Sequence, residues 1–279
     1  MFFLKNILCI ILLILLISCS KDIKKESLIT ETSLELQVKE AYEEGIKSFE
    51  EGDVLFAAKK FNEAELLYPQ SEWAPKSALM AAYVYYTQDY YGDTIAELTR
   101  FIKVYPSHKD LVYAHYLLAI TYFEQIVDEK KDLKSIVNAK NQFQFIIKEF
   151  PNTDYAIEAE FKLDLVNDIL ASKEMYIGRY YFQKKKWIPA INRFKIIVDE
   201  FEQTIYIEEA LYRLVEIHYM LGLKDEAQKY AKLLGYNYQS SDWYEKSYKF
   251  FNKLYKEKQI VIKKEKKNKI IEKIKSLLN

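Results

Sequence analysis

Gly45-Ile46-Lys47-Ser48-Phe49-Glu50-Glu51-Gly52-Asp53-Val54-Leu55-Phe56-Ala57-Ala58-Lys59-Lys60-Phe61-Asn62-Glu63-Ala64-Glu65-Leu66-Leu67-Tyr68-Pro69 carries the pattern that decides the fold. Ala57, Phe61 and Ala64 recur at spacings of four and three, the period of one face of an α-helix. Pro69 cannot continue that helix, and Ser71 offers a cap to the next one. The period returns at Ala139, Phe143, Ile146 and Ile147, and again at Ala190, Phe194 and Ile197. The punctuation returns too. Tyr68-Pro69-Gln70-Ser71, Tyr105-Pro106-Ser107-His108, Phe150-Pro151-Asn152-Thr153 and Phe201-Glu202-Gln203-Thr204 each close an apolar helix, at intervals of 37, 45 and 51 residues. No period of two persists after Ser33. An internal repeat of this length means an array of helix pairs rather than one globular core.

The units resemble the tetratricopeptide repeat (TPR), a helix pair of about 34 residues with small residues, an aromatic and a proline at fixed positions. With Pro69 at position 32, Gly45 falls at 8, Gly52 at 15, Ala57 at 20, Phe61 at 24 and Ala64 at 27. With Glu202 at 32, Gly178 falls at 8, Tyr181 at 11, Trp187 at 17, Ala190 at 20, Phe194 at 24 and Ile197 at 27. A last unit places Gly222 at 15 and Ala227 at 20. The second unit is looser, with Ala82 at 8, Leu98 at 24 and Phe101 at 27; the third carries an insertion, Asp128 to Asp132, between its helices. The fold class expected is all-α: a solenoid of about five TPR-like helix pairs ending near Gly235, with a basic C-terminal helical extension.

Composition agrees. The 279 residues include only 6 Gly, which disfavours a β fold with many tight turns and leaves little room for glycine-rich phosphate loops. The formal net charge is zero, but it is unevenly spread. Residues 19–245 hold 28 basic and 38 acidic groups, whereas residues 246–279 hold 12 Lys against 3 Glu.

The chain opens with Lys5 ahead of an eleven-residue apolar run, Ile7 to Ile17, too short to span a bilayer but suited to a signal-peptide core. Leu16-Ile17-Ser18-Cys19 follows and resembles the lipobox of bacterial lipoproteins. That resemblance implies a signal peptide over 1–18 and a covalent lipid on Cys19, with residues 19–32 as anchor and polar tether. Ser20, where Asp would signal inner-membrane retention, implies the periplasmic face of the outer membrane. Cys9 would leave with the signal, so the folded part holds no thiol.

A more specific likeness lies at the ends of the units. Tyr68-Pro69-Gln70-Ser71-Glu72-Trp73-Ala74-Pro75-Lys76-Ser77-Ala78, Ala82-Tyr83, Tyr85-Tyr86, Phe101-Ile102, Tyr105-Pro106-Ser107-His108 and then Tyr113 resemble the outer-membrane protein assembly factor family BamD. Phe150-Pro151-Asn152-Thr153-Asp154-Tyr155 and a long helix through Tyr180-Tyr181 before Trp187 extend the likeness, which covers about residues 35–235. The resemblance implies a lipid-anchored scaffold of the β-barrel assembly machinery. Its partners would be the POTRA domain of the barrel-forming BamA subunit, other Bam lipoproteins and unfolded outer-membrane proteins.

No catalytic constellation emerges. His108, His115 and His218 form no metal-binding pair, and His115 and His218 read as packing residues. The acid pairs Glu43-Glu44 and Glu208-Glu209 read as solvated surface, because adjacent helix residues do not share a face. Neither cofactor, metal nor nucleic-acid partner is expected. Binding remains. In the repeat register, positions 2, 5, 9, 12 and 13 face the concave surface. In the first repeat they are Lys39, Tyr42, Ile46, Phe49 and Glu50; in the second, Lys76, Leu79, Tyr83, Tyr86 and Thr87. Residues 33–108 thus supply the candidate substrate-peptide groove: Lys39, Tyr42, Phe49, Lys76, Tyr83 and Tyr86. Tyrosine suits peptide capture because it offers a large apolar face and a polar tip at low entropy cost. Residues 109–235 are the candidate BamA-docking half, with Tyr206, Tyr212, Arg213 and His218 as contacts implied by the resemblance.

Residues 236–279 form the Lys-rich extension. Ile270, Ile271, Ile274, Leu277 and Leu278 share one helical face, giving a basic amphipathic segment fit for an anionic membrane or a partner. Two rival readings stand beside the main one. The first is another periplasmic TPR lipoprotein scaffolding envelope or polysaccharide-export complexes. The second is the superhelical part of a transglycosylase, for whose catalytic domain there is no room after residue 235.

Overall fold

The computed structural model describes residues 33–126 and 133–252. The signal peptide, Cys19 and its tether, the 128–132 insertion and the 270–278 segment lie outside the described residues. Eleven helices and no strands are found among those described. The first three pairs are α1 (Leu34–Glu50) with α2 (Val54–Leu67), α3 (Trp73–Tyr86) with α4 (Tyr91–Val104), and α5 (Leu111–Glu124) with α6 (Lys134–Glu149). Next come α7 (Asp154–Gln183) with α8 (Trp187–Glu200) and α9 (Ile207–Met220) with α10 (Lys224–Asn237). A last helix, α11 (Asp242–Phe251), packs on α9 and α10.

Starts and stops are local chemistry. Asp53, Thr153 and Ser241 accept hydrogen bonds from the N–H groups of Phe56, Ala156 and Trp243, occupying donors that the first helical turn leaves free. Ser71 Oγ does the same for the N–H of Ala74 at 3.2 Å. Every second helix ends on an aromatic: Tyr68, Tyr105, Phe150, Phe201 and Tyr238. The fifth of these extends the punctuation past Gly235. α10 runs to Asn237, and α11 lies in the segment that the sequence reading gave to the extension.

Between the helices of a pair, the chain turns through the left-handed region at register position 15. Gly52 has φ +87° and Gly222 φ +81°; Asp89 and Lys185 hold the same position in the second and fourth pairs at +60° and +56°. Position 8 is small because a ring lies on it. A Cβ on Gly45 would stand 2.9 Å from Cε1 of Phe61, and one on Gly178 2.6 Å from Cε1 of Phe194. Those rings and their counterparts Leu98 and Phe143 are fully buried. Each ring fills the space opened by its glycine, which brings the paired helices to close approach.

α7 is 30 residues long and serves two repeats. Ala156, Ala159 and Val166 join the core of α5 and α6; Ala171 and Met175 join the core of α8 and α9; Leu170 packs against both. Ion pairs tie successive repeats. The guanidinium of Arg100 on α4 donates to both oxygens of Glu65 on α2 at 2.7 and 2.6 Å, and Tyr105 Oη donates to the same carboxylate at 2.8 Å. Arg179 on α7 grips Glu209 on α9 through Nε and Nη2, and Arg213 adds a 3.3 Å contact. This corrects the reading of Glu208-Glu209 as solvated. Glu209 is only 8% exposed, and Glu208 accepts from Ser241 Oγ at the start of α11.

Candidate functional site

The first helices of the pairs line up beside one another and build the candidate groove. α1 contributes Tyr42; α3 contributes Lys76, Leu79, Met80 and Tyr83; the start of α5 contributes Asp110 and Tyr113. Together they line a cleft of about 410 Å³. Tyr42 is fixed from behind by Phe61 at 5.3 Å and Trp73 at 5.0 Å between ring centroids. Lys76 Nζ lies 5.0 Å from the Trp73 ring centroid, so a cation held on an aromatic face borders the cleft. Phe49 meets Tyr83 edge to face at 6.1 Å and braces it.

Of the six groove candidates, the structure brings Tyr42, Lys76 and Tyr83 into the cleft, with Phe49 behind Tyr83. Lys39 stays on the solvent side of α1, paired with Glu43 at 3.6 Å. Tyr86 does not line the cleft: its hydroxyl donates to Glu124 at 2.9 Å, and its ring packs on the cores of the second and third pairs. One helical turn beyond Tyr83, α3 has rotated Tyr86 against α5. Asp110 and Tyr113 are not among the groove candidates of the sequence, although Tyr113 belongs to the family likeness. The signal was present, because positions 2 and 5 counted on from Lys76 and Leu79 into the third unit fall on Asp110 and Tyr113.

Burial raises the pKa of Tyr42, and burial together with Tyr83 and Tyr155 raises that of Tyr113 to about 12. Both hydroxyls stay protonated at neutral pH. The cleft therefore offers apolar rings with hydrogen-bonding tips, one cation and one carboxylate, which suits an extended peptide with aromatic side chains and a terminal charge.

The C-terminal candidates do not assemble into one surface. Tyr212 lies beneath α11, 5.1 Å from the Trp243 ring and 6.2 Å from Phe250. Arg213 sits among Phe182, Tyr212 and Trp243 while pairing with Glu216 at 2.7 Å. His218 is 8% exposed; its Nδ1–H donates to the Leu214 carbonyl at 2.7 Å and its ring lies 5.4 Å from that of Tyr230. Tyr206 is half-buried against the core of the fourth and fifth pairs.

The model of the YfiO family, described as outer membrane lipoprotein, matches residues 34–233, from the start of α1 almost to the end of α10. The outer membrane protein assembly factor BamD of Rickettsia prowazekii is 43% identical over 208 residues, covering 75% of this chain and 83% of the relative. The chain belongs to the BamD family. BamD of Caulobacter vibrioides is 38% identical over 234 residues, covering 84% of this chain and 76% of its own. A crystal structure of a tetratricopeptide repeat protein from Parabacteroides merdae superposes with a TM-score of 0.35 at 14% identity, over 77% of this chain and 74% of that one. α11 lies beyond the residues that the BamD-family model matches. None of the described helices is long and apolar enough to cross a membrane.

Proposed function

We propose that this chain is a non-enzymatic scaffold for outer-membrane protein assembly, held at the periplasmic face of the outer membrane by lipid on Cys19. Its partners are the POTRA domain of a BamA subunit, other Bam lipoproteins and unfolded β-barrel proteins. The first two repeats receive the substrate and the later repeats dock the barrel-forming subunit, where Tyr206 and Arg213 keep partial exposure. The observation that carries the reading is the cleft of Tyr42, Lys76, Tyr83 and Tyr113 on the shared face of α1, α3 and α5. A barrel strand presents aromatics on alternate residues and ends in a carboxylate. Rings would seat in the cleft, and the carboxylate would meet Lys76. The test is the affinity of a peptide copied from the last strand of a barrel protein, measured by fluorescence anisotropy. Tyr83→Ala should weaken binding by about tenfold, the loss of one well-packed aromatic contact. Lys76→Glu should weaken it further at low salt than at high salt. Unchanged affinity in both variants, with native helicity, would remove the cleft from the account.

A further inference from the structure

The turn from α7 into α8 reads Lys184-Lys185-Lys186-Trp187-Ile188. Its three lysines are exposed, and none forms an ion pair among the described residues; Lys184 lies 5.9 Å from the Tyr180 ring centroid. Ile188 beside them is 69% exposed, and Tyr180 is half exposed. The turn from α9 into α10 has the same character: Met220, Leu221 and Leu223 are exposed, and Lys224 follows. Two contacts bring these turns together. Arg179 on α7 holds Glu209 on α9, and further on in both helices Phe182 meets Arg213 at 5.0 Å. The two helices therefore run side by side in the same direction, and the turns that follow them lie at one end of the array. Acids of the same helices are already held: Glu174 by Arg193 at 2.9 Å, Glu216 by Arg213 at 2.7 Å and Glu226 by Lys229 at 2.6 Å. That leaves Asp225 against Lys184, Lys185, Lys186 and Lys224, a basic and apolar rim on a scaffold that is acidic by ten charges from 19 to 245.

We propose that this rim rests on an anionic bilayer surface. Lysines are drawn to the negative potential of phosphate headgroups, and their stems lie along apolar surface while the charges stay in water. Ile188, Met220, Leu221 and Leu223 enter the boundary between headgroups and acyl chains, and the Tyr180 ring, apolar in body and polar at its tip, belongs at that depth. Shape selects a bilayer over an acidic protein. The bulky residues stand on the tips of two neighbouring turns, and a flat surface meets both at once. Tyr206, just before the start of α9, lies at the opposite end of that helix, so the rim and this docking candidate do not compete.

The test is an environment-sensitive fluorophore on Ile188→Cys, in the full chain purified from envelopes in detergent and reconstituted into vesicles. One vesicle is phosphatidylcholine alone; the other holds about one-quarter phosphatidylglycerol. The label should brighten at least about twofold and shift to the blue on the anionic vesicle. Lys184→Gln/Lys185→Gln/Lys186→Gln, or high salt, should return it to the phosphatidylcholine value. A label on Ile205→Cys, 79% exposed and beyond the other end of α8, should not respond. Wild-type chain carried through the same labelling reports on Cys19 alone, so a failure of the lipid anchor is read apart from this proposal. Equal emission on the two vesicles would overturn the proposal. So would an equal response at Ile205→Cys, or a triple variant that still brightens. Brightening caused by soluble polyglutamate without phosphatidylglycerol would overturn it too, assigning the rim to an acidic protein.

Discussion

Gly178 shows how one residue sets the spacing of two helices. Its missing Cβ is the space into which Phe194 fits, with 2.6 Å left to the ring. Gly178→Ala should therefore lower stability by about 1–3 kcal/mol in urea denaturation, the usual cost of overpacking a close contact. Phe194→Ala should cost about 3–5 kcal/mol by emptying the same site. The turn positions make the opposite prediction. Lys185 is exposed and adopts φ +56°, where Gly52 and Gly222 stand in other pairs. Lys185→Gly should stabilise the array by about 1 kcal/mol, because glycine enters the left-handed region without a Cβ penalty. His115 adds a pH dependence. Burial lowers its pKa from 6.5, although the hydrogen bond to Gln142 opposes the shift. The unfolded chain then binds the proton first, so stability falls as pH drops below 6.5 toward the lowered folded value. His115→Leu should flatten that slope in denaturation midpoints measured from pH 7 to 5.5. These small residues, aromatics and turn positions were legible in the sequence because each meets its partner inside a single repeat.

At the scale of elements, legibility ends where partners come from different repeats. Glu209 looked like half of a surface acid pair, yet it faces Arg179 from a helix 30 positions away. No local spacing reports such a contact. Burial works against its ionisation, but the Arg179 guanidinium, with Arg213, outweighs that and holds its carboxyl below the usual 4.5. Its contribution is full above pH 4.5 and is lost as pH falls through the lowered value. Glu209→Gln should cost about 1–2 kcal/mol at neutral pH, less than a fully buried pair because Arg179 is half exposed. A double-mutant cycle with Arg179→Met checks that the loss belongs to the pair. The groove shows the same limit. Tyr42, Lys76 and Tyr83 hold register positions of the first two units, and Asp110 and Tyr113 hold positions 2 and 5 counted on into the third. The turning of Tyr86 toward Glu124 depends on how α3 packs on α5, which the register does not specify. Equally, α11 hides Tyr212 because a helix from the presumed extension folds back over it.

At the scale of the whole molecule, the zero net charge separates into an acidic array and a basic end, and five of the six glycines, all but Gly92, mark where helices turn or touch. An array held by neighbour contacts alone presents a long face made of many first helices, suited to holding extended chains rather than to enclosing a small substrate. Membership of the BamD family places the chain in outer-membrane protein assembly, and the tyrosine-lined cleft is the surface proposed above to receive its substrate. The most direct measurement is affinity purification of the tagged, full-length chain from detergent-solubilised envelopes of its own cells. The account predicts co-recovery of a BamA-type barrel subunit in near-stoichiometric amount; recovery of the intact, lipidated chain without that subunit would contradict it.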